Sequence, residues 1–576
     1  MLGLEIPAPR WIWPTSNEAQ VNSFAELLSV TPLVAQILLR RGIADATAAE
    51  AFLNPSYDHF HDPRLLPDYH AAVKEILGAR ERGETIAVHG DYDVDGVTSA
   101  ALFTRYLRRI GCTVAPHVPH RVTEGYGIHL DAVEWARKQG AKLFLTCDCG
   151  ISAHEQIEAI KVAGMVPVVT DHHSVKDTLP GAAAVVNPHR ADSVYPFSEL
   201  SGVGVVLKLC AGITEELGHK AKDFYRAFLD LATLGTVADV MPLVGENRTI
   251  VSLGLPALAQ SRKIGIQALL ETCDLLSANR ITARDIGYRI GPRINAAGRI
   301  DDSALALELL LTEDRVRARE LAMQIEQINA DRREQQIKAC EEAREMVVAT
   351  EADRFNVIVV ASPDWHPGLV GIVAGKLVDA FRRPAFVGSV NQHGIAKTSA
   401  RSIPGFDLGR AITLTEDLHL GGGGHELAAG LSIDVANIPA FRKVLHDHAS
   451  HVLSPDDYAT KVVIDAQVCA SDCSKATLAS VLQLEPFGSA NSEPVLGLTG
   501  VTLKKVTTTS KPEHVRLSVG QDGKQCEVMA FNLASEVSQF SVGDSMDIAV
   551  RLSENWYRGE CNLTVAADAV RRAALQ

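Results

Sequence analysis

The sequence predicts an α/β protein: a doubly wound, mostly parallel sheet domain and a second α/β domain, joined by one long helix and followed by a small β-barrel of OB type. Three observations predict it. From Thr85 onward, short β-branched apolar runs alternate with stretches of helical periodicity, the pattern of βαβ units. Residues 313–348 are highly charged, carry apolar residues at helical spacing and contain neither Gly nor Pro. They read as one helix on the order of 50 Å long at 1.5 Å per residue. Beyond about residue 461 the pattern changes to short alternating strands. The expected divisions are 1–60, a helical lead-in; 61–312, the parallel-sheet domain; 313–349, the connecting helix; 350–457, the second α/β domain; and 458–576, the barrel.

Taken in order, LLSVTPLVAQILLRRG has helical periodicity with Gly42 as its stop, and residues 46–55 form a second short helix ended by Asn54-Pro55. The runs TIAV (85–88), TVAPHVP (113–119), KLFLT (142–146), VPVVT (166–170) and AAVVN (183–187) read as strands. Residues 100–110, 129–139 and 152–163 read as helices between them, and residues 224–243 as a later helix. A second unit starts at VIVVAS (357–362), and WHPGLVG (365–371) opens a helix. In the last region Val515, Leu517 and Val519 alternate, then Cys526, Val528 and Ala530, across Asp522-Gly523. Asp-Gly between alternating runs is a hairpin signal.

Composition excludes several classes. At 576 residues the chain has room for several cores. No apolar run approaches the ~18 residues of a membrane span. The N-terminal stretch has no basic segment leading into an apolar one, so no signal peptide is expected. The ten cysteines are scattered without a CxxC pair, which argues against a zinc ribbon or disulfide framework and fits a reducing cytoplasm. The expectation is a cytoplasmic protein with no membrane association. The net charge of −14 argues, taken alone, against nucleic-acid binding.

The residues with chemical potential lie directly after the strands. After TIAV come Asp91, Asp93 and Asp95, three carboxylates at alternate positions. After TVAPHVP come His120 and Arg121; after KLFLT, Cys147-Asp148-Cys149; after VPVVT, Asp171-His172-His173. In a parallel sheet these strand ends share one edge, where open α/β sheets place their ligands. One Asp after a strand is ordinarily a helix cap or part of a solvated turn. Four strand ends carrying metal or anion ligands are hard to explain that way, and a divalent cation is the simplest partner for so much negative charge. Asp239, near the end of the 224–243 helix, is a further candidate, although a lone Asp there is usually solvated.

Local charge departs from the average. Residues 280–299, 376–401 and 501–516 are each net basic, with Arg293 in the first, Lys397 and Arg401 in the second, and Lys504, Lys505, Lys511 and Arg516 in the third. Three such stretches would suit a phosphate backbone. Ser399 and Arg401 lie two apart in a strand-like run and share a face. Gly421–Gly424, before His425, either form a flexible loop or let backbone amides approach a phosphate. The barrel fits single-strand binding, and a purely structural barrel fits the same residues.

DYDVDGVTS, EGYG, TCDCG, the DHH triplet at 171–173, LGTVADVMPL, GPRINAAGR, WHPGLVGI and GGGGHELAAG, in this order, together resemble the RecJ family, the single-strand-specific DNA exonucleases of the DHH/DHHA1 phosphoesterase superfamily. The resemblance covers nearly the whole chain. It implies a DHH and a DHHA1 domain joined by the long helix, with an OB barrel that helps admit only single strands. It implies 5′→3′ hydrolysis of single-stranded DNA to mononucleotides with two Mn²⁺ or Mg²⁺ ions, in DNA recombination and repair. Asp93 and Asp148 would hold one ion, with Asp91 or His89 completing that site; Asp95, Asp148, His172 and Asp239 would hold the other. Asp148 would bridge, and His173 would contact the substrate phosphate or the nucleophile. Arg121, Arg293, Ser399 and Arg401 match positions that handle phosphate, and His425 is grouped with them. Cys147 and Cys149 depart from the commoner pattern around the bridging Asp. A monomer is expected, with a single-stranded-DNA-binding protein and a helicase as partners. Two other readings compete: a DHH phosphodiesterase for pyrophosphate, cyclic dinucleotides or very short oligonucleotides, and a non-catalytic single-strand-binding scaffold. The barrel and basic stretches argue against the first, and the intact ligand set against the second.

Overall fold

The computed structural model describes residues 7–15, 17–120, 125, 127–175, 178–300, 303–557 and 560–573. They form two compact units. One comprises Trp13–Asn329 with the chain from Ile464 onward; the other comprises the segment up to Ile12 with Ala330–Val463.

The chain enters through a short strand, β1 (Arg10–Ile12). The run expected to be one helix up to Gly42 is two, Glu18–Leu28 and Pro32–Arg40. Ser29 turns into the left-handed region, and Thr31 caps the second helix by accepting from the Val34 amide at 3.4 Å, with Pro32 at its first position. Thr-Pro is a helix start, so the apolar period runs on across a real break. Helix Ala46–Leu53 comes next, capped by Asp45 on the Ala48 amide at 2.8 Å.

The first sheet has five parallel strands: β2 (Thr85–Gly90), β3 (Thr113–His117), β4 (Ala141–Cys147), β5 (Val166–Thr170) and β6 (Ala184–Val186), in the spatial order β3-β2-β4-β5-β6. Alternate residues feed two cores. Ile86, Val88, Leu143, Leu145 and Val168 pack with helices Val94–Arg109, Gly202–Glu216 and Ala221–Ala238; Ala87, Phe144 and Val169 pack with Leu130–Lys138 and His154–Val162. A sheet covered on both faces needs apolar residues at every position, which is why these strands read as continuous apolar runs. The long helix spans Arg315–Ala349.

The second sheet contains β7 (Ile358–Ser362), β8 (Ala385–Val390), β9 (Ile395–Arg401), β10 (Gly421–Gly424) and β11 (Ala428–Asp434), ordered β10-β11-β9-β8-β7. Only β7 and β8 pair in parallel. The four glycines are not a flexible loop. They form the edge strand β10, in register with Ala429–Ser432 of β11. A Cβ on Gly424 would lie 2.3 Å from the Ala429 Cβ, and one on Gly422 2.4 Å from the Leu431 Cβ. The run thus contains close strand contacts that exclude side chains.

After β12 (Lys461–Val463), which pairs in parallel with β1, come β13 (Ala466–Val468), β14 (Leu496–Thr508), β15 (Val515–Gln521), β16 (Lys524–Ala530), β17 (Ser545–Tyr557) and β18 (Glu560–Arg572). Pairing β14-β15-β16-β18-β17 returns from β17 to β14 and closes a five-stranded barrel. Asp522 and Gly523, with φ of 50° and 74°, make the β15–β16 turn; two successive positive φ values match the twist of the flanking strands. Val515, Leu517, Val519, Cys526, Val528 and Ala530 point into the barrel core as their alternation requires. Among the described residues no single helix is long and apolar enough to cross a membrane.

Candidate metal centre

The strand order β3-β2-β4-β5-β6 reverses direction between β2 and β4, the place where such sheets open a crevice at their carboxyl ends. The aspartates after β2 and Asp148 after β4 flank that point. Turning from β2 into helix Val94–Arg109 takes two glycines. A Cβ on Gly90 would lie 2.4 Å from the Gly96 carbonyl oxygen, and one on Gly96 2.3 Å from the Asp91 amide nitrogen. Asp93 is the N-cap, its Oδ1 accepting from the Gly96 amide at 3.1 Å. Asp95 sits in the first turn and is buried; its two oxygens accept from the amides of Gly202 (2.7 Å) and Val203 (2.8 Å) at the start of helix Gly202–Glu216. Ser201 caps that helix on the Gly204 amide at 3.0 Å. Asp148 takes a left-handed φ of 63°, tolerable for Asp, and its amide donates to the Thr170 carbonyl at 3.1 Å. Space around these carboxylates is bounded by glycines: a Cβ on Gly202 would lie 2.7 Å from Asp148 Oδ1, and one on Gly235 2.6 Å from Asp95 Oδ1.

Asp171 organises the histidines. Its Oδ1 accepts from the amides of His172 (2.7 Å) and His173 (3.0 Å) and meets His173 Nδ1 at 2.7 Å, while Oδ2 accepts from the Ile151 amide at 2.9 Å. His172 Nε2 lies 3.1 Å from Asp148 Oδ1, 3.6 Å from Asp239 Oδ2 and 3.9 Å from Asp95 Oδ2. Asp239 reaches this point as the C-cap of helix Ala221–Ala238. Two sets of potential ligand atoms each lie within 4.8 Å of one another: Asp95, His172 and Asp239, and Asp148, His172 and His173.

The electrostatics call for a cation. Burial, then the neighbouring carboxylates, push Asp95 and Asp148 well above the usual range. Burial and Asp93 raise Asp239 to about 7 and Asp91 to about 8. Burial and His173 lower His172 to about 4, so its ring is a neutral ligand. Burial also works against charge on His173, but the Asp171 carboxylate outweighs it and raises the imidazole to about 9. Asp148 Oδ1 and His172 Nε2 are buried without a hydrogen-bond partner among the described residues, although they face one another. Buried polar atoms are rarely left so, and a bound cation satisfies both. Hard carboxylate oxygens with one imidazole fit Mg²⁺ or Mn²⁺, and the residues present therefore fit divalent cations.

The remaining candidates are placed as follows. Asp91 is buried, with Oδ1 accepting from the Gly127 amide at 3.3 Å. His89 has both ring nitrogens engaged, Nδ1 with His117 Nδ1 at 3.0 Å and Nε2 with the Gly127 carbonyl at 3.2 Å. Cys147 and Cys149 are buried thiols near the His89 carbonyl. Arg121 lies outside the described residues. Arg293 is buried and committed to Glu326, to the Arg289 carbonyl (2.6 Å) and to the Thr272 carbonyl (3.1 Å). In the other unit, Lys397, Ser399 and Arg401 share one face of β9, while Ala396, Thr398 and Ala400 are buried on the other. Gly371 lies against that face, where a Cβ would make only an ordinary contact, 3.5 Å from Arg401 Nη2. His425 is exposed at the β10–β11 turn, its amide donating to the Ala428 carbonyl at 2.8 Å.

One further strand end, not among the sequence candidates, supports the site. After β6, Asn187 is fully buried; its Nδ2 donates to the His173 carbonyl at 2.9 Å and its Oδ1 accepts from the His189 amide at 2.8 Å. Its signal in the sequence is the polar Asn187-Pro188-His189 directly after the AAVV run. The basic stretches also divide. Arg280 pairs with Glu485 and Glu554, and Arg289 with Asp285 at 3.3 Å. On the barrel, Lys504, Lys505, Lys511 and Arg516 are exposed and make no ion pair among the described residues, beside the exposed Val506 and Phe531.

Family models agree with this architecture. Residues 85–236 match the DHH family N-terminal domain, 354–450 the DHHA1 domain and 464–568 the RecJ OB domain. The single-stranded-DNA-specific exonuclease RecJ of Bacillus subtilis is 35% identical over 95% of this chain and 69% of its own length. That of Escherichia coli is 30% identical over 95% of this chain and 97% of its own. The crystal structure of Thermus thermophilus RecJ in complex with Mn²⁺ matches with a TM-score of 0.82 at 28% identity, covering 98% of this chain and 80% of that one. With its DHH, DHHA1 and OB domains and a carboxylate-rich strand edge, the chain belongs to the RecJ family.

Proposed function

We propose that this protein is a metal-dependent exonuclease that degrades single-stranded DNA from its 5′ end to mononucleotides by phosphodiester hydrolysis. The observation that carries the reading is the convergence of Asp95, Asp148, His172 and Asp239 on one buried strand edge, with Asp148 Oδ1 and His172 Nε2 unsatisfied. Two divalent cations fit best: Asp93 and Asp148 for one, Asp95, Asp148, His172 and Asp239 for the other. Bound there, divalent cations supply Lewis-acid charge to the phosphoryl group and a more acidic water. His173, held at Nδ1 by Asp171, donates from its other nitrogen to a phosphate oxygen and adds positive charge where negative charge develops. Asn187 fixes the backbone behind it. Asp95 cannot swing away from its position, because two amides of a helix N-terminus hold both of its oxygens.

The strand is held away from the chemistry. The exposed Lys504, Lys505, Lys511 and Arg516 neutralise backbone phosphates, and Phe531 gives a base a surface to stack on. Ser399 and Arg401, on one face of β9, bind phosphate, and the extra charge of a 5′-terminal phosphate suits a guanidinium donor and a hydroxyl. An enzyme limited to single strands needs duplexes opened first. A helicase, and a single-stranded-DNA-binding protein that covers the product, are therefore the partners we assign. The test is digestion of 5′- and 3′-labelled single- and double-stranded DNA with Mn²⁺, with Mg²⁺ and with chelator. Mononucleotides released from the 5′ end of single strands, only with metal, are expected. Release from the 3′ end, or undiminished activity in chelator, would overturn the reading.

A further inference from the structure

Helix Val94–Arg109 has a charged cluster at each end. Its first turn carries Asp95; its last turns carry Arg105, Arg108 and Arg109. The second end opens onto a cavity of about 1430 Å³ that takes no part in the chemistry above. Fourteen residues separate Asp95 from Arg109, roughly 20 Å along the helix, so the two sites are distinct. We propose that this cavity binds a nucleoside polyphosphate.

Its lining is strongly cationic. Arg226, Arg262 and Lys263 join the three arginines, so six cationic side chains line the cavity against two carboxylates, Asp230 and Glu313. This occurs in a chain whose net charge is −14. Some of the six are spoken for. Lys263 pairs with Asp230 at 2.7 Å, Arg105 donates to the Leu310 carbonyl at 2.8 Å, and Arg226 lies 3.7 Å from Asp223. Arg109 and Arg262 are exposed and make no ion pair among the described residues. The helix dipole accounts for arginines in the last turn of Val94–Arg109, but not for Arg226 and Arg262, which come from other segments. Like charges gathered in a concavity repel, and an anion relieves them.

The rest of the lining then chooses the anion. The cavity also reaches Ile264 at the start of helix Ile264–Thr272, whose N-terminal dipole adds to the positive potential beside Arg262. The same lining includes the apolar side chains of Leu253, Pro256 and Leu311. A DNA strand tracked along its backbone calls for an extended groove. A hollow lined by both guanidinium donors and apolar side chains instead fits a phosphate tail with a base and ribose. Its volume leaves room for a nucleotide with several phosphates.

The experiment is fluorescence anisotropy with a methylanthraniloyl-labelled ATP and the full chain in excess EDTA, which keeps the metal centre out of the reading. Saturable binding is expected, displaced by unlabelled ATP and, less well, by inorganic triphosphate, but not by adenosine. The double variant Arg109→Glu/Arg262→Glu should weaken it at least tenfold while leaving the rate on single-stranded DNA unchanged. Arg109→Gln/Arg262→Gln, with circular dichroism, provides a milder pair should charge reversal disturb folding. No saturable binding, equal affinity in folded variants, or an equal loss of long single-strand binding would overturn the proposal; the last result would make the cavity part of the DNA path.

Discussion

Two buried charged clusters sit in the same compact unit and differ in one respect. Lys208 and Glu246 meet at 2.9 Å with both side chains wholly buried. Every charge there has company: Tyr195 donates to Glu246 at 2.6 Å, the His61 amide donates to it at 2.9 Å, and Lys208 donates to the His61 carbonyl. At the metal centre, Asp95 and Asp148 are just as buried, with Asp239 beside them and a neutral His172 between. Burial is the same; neutralisation is not. The completed cluster ties the lead-in segment to the helices around it. The incomplete one is held by glycines, helix amides and strand ends, and the cations proposed above would complete it. A buried charge is therefore informative about function when its internal partners are missing.

This contrast can be attacked from either side. The largest expected effect is Asp148→Ala, which removes the proposed bridging carboxylate; hydrolysis should fall by about 10³-fold or more, the scale of losing several kcal/mol of charge stabilisation. Single-strand binding, measured by anisotropy in chelator, should be retained. Lys208→Met should act on the other cluster. Stranding Glu246 costs about 3–5 kcal/mol of stability in denaturant unfolding, with activity per folded molecule unchanged. Arg401→Ala should cut the ratio of initial rates on 5′-phosphate and 5′-hydroxyl oligonucleotides by roughly tenfold, the size of one lost charge-assisted hydrogen bond. An unchanged ratio would leave Arg401 as an ordinary backbone contact. The smallest effect concerns the two basic stretches. The triple change Lys504→Gln, Lys505→Gln and Arg516→Gln should lower the slope of log binding constant against log salt by about 2, at roughly 0.7 per phosphate contact on a single strand. Arg280→Gln, where the guanidinium already has Glu485 and Glu554, should leave that slope alone.

The metal edge is readable in the sequence because parallel strands deliver their carboxyl ends to one side, so the residues just after each apolar run can be grouped without knowing any distance. Of the proposed ligands, Asp95, Asp148 and His172 are grouped in that way, whereas Asp239, at a helix end, joins them by family resemblance. The groups that support it are hidden. The Gly202 and Val203 amides that hold Asp95 belong to a helix start 107 and 108 residues away, and no local pattern announces such a contact. Asn187 escapes notice because it reads as the end of a strand rather than the residue after one. Counting charge along the chain fails for residues 280–299 because their partners, Glu485, Glu554 and Glu326, are distant in sequence. The glycine run is legible only in part. Four glycines signal a close approach of something, and here that is the neighbouring strand β11.

Asp148, on this reading, joins two cations at one buried edge. Calorimetric titration of Mn²⁺ into the chelator-stripped wild-type chain and into Asp148→Ala tests it directly. Two ions bound per wild-type chain, and loss of both or a drop of at least a hundredfold in their affinity in the variant, is the expected result. An Asp148→Ala chain that still takes up two Mn²⁺ ions with wild-type affinity would contradict it.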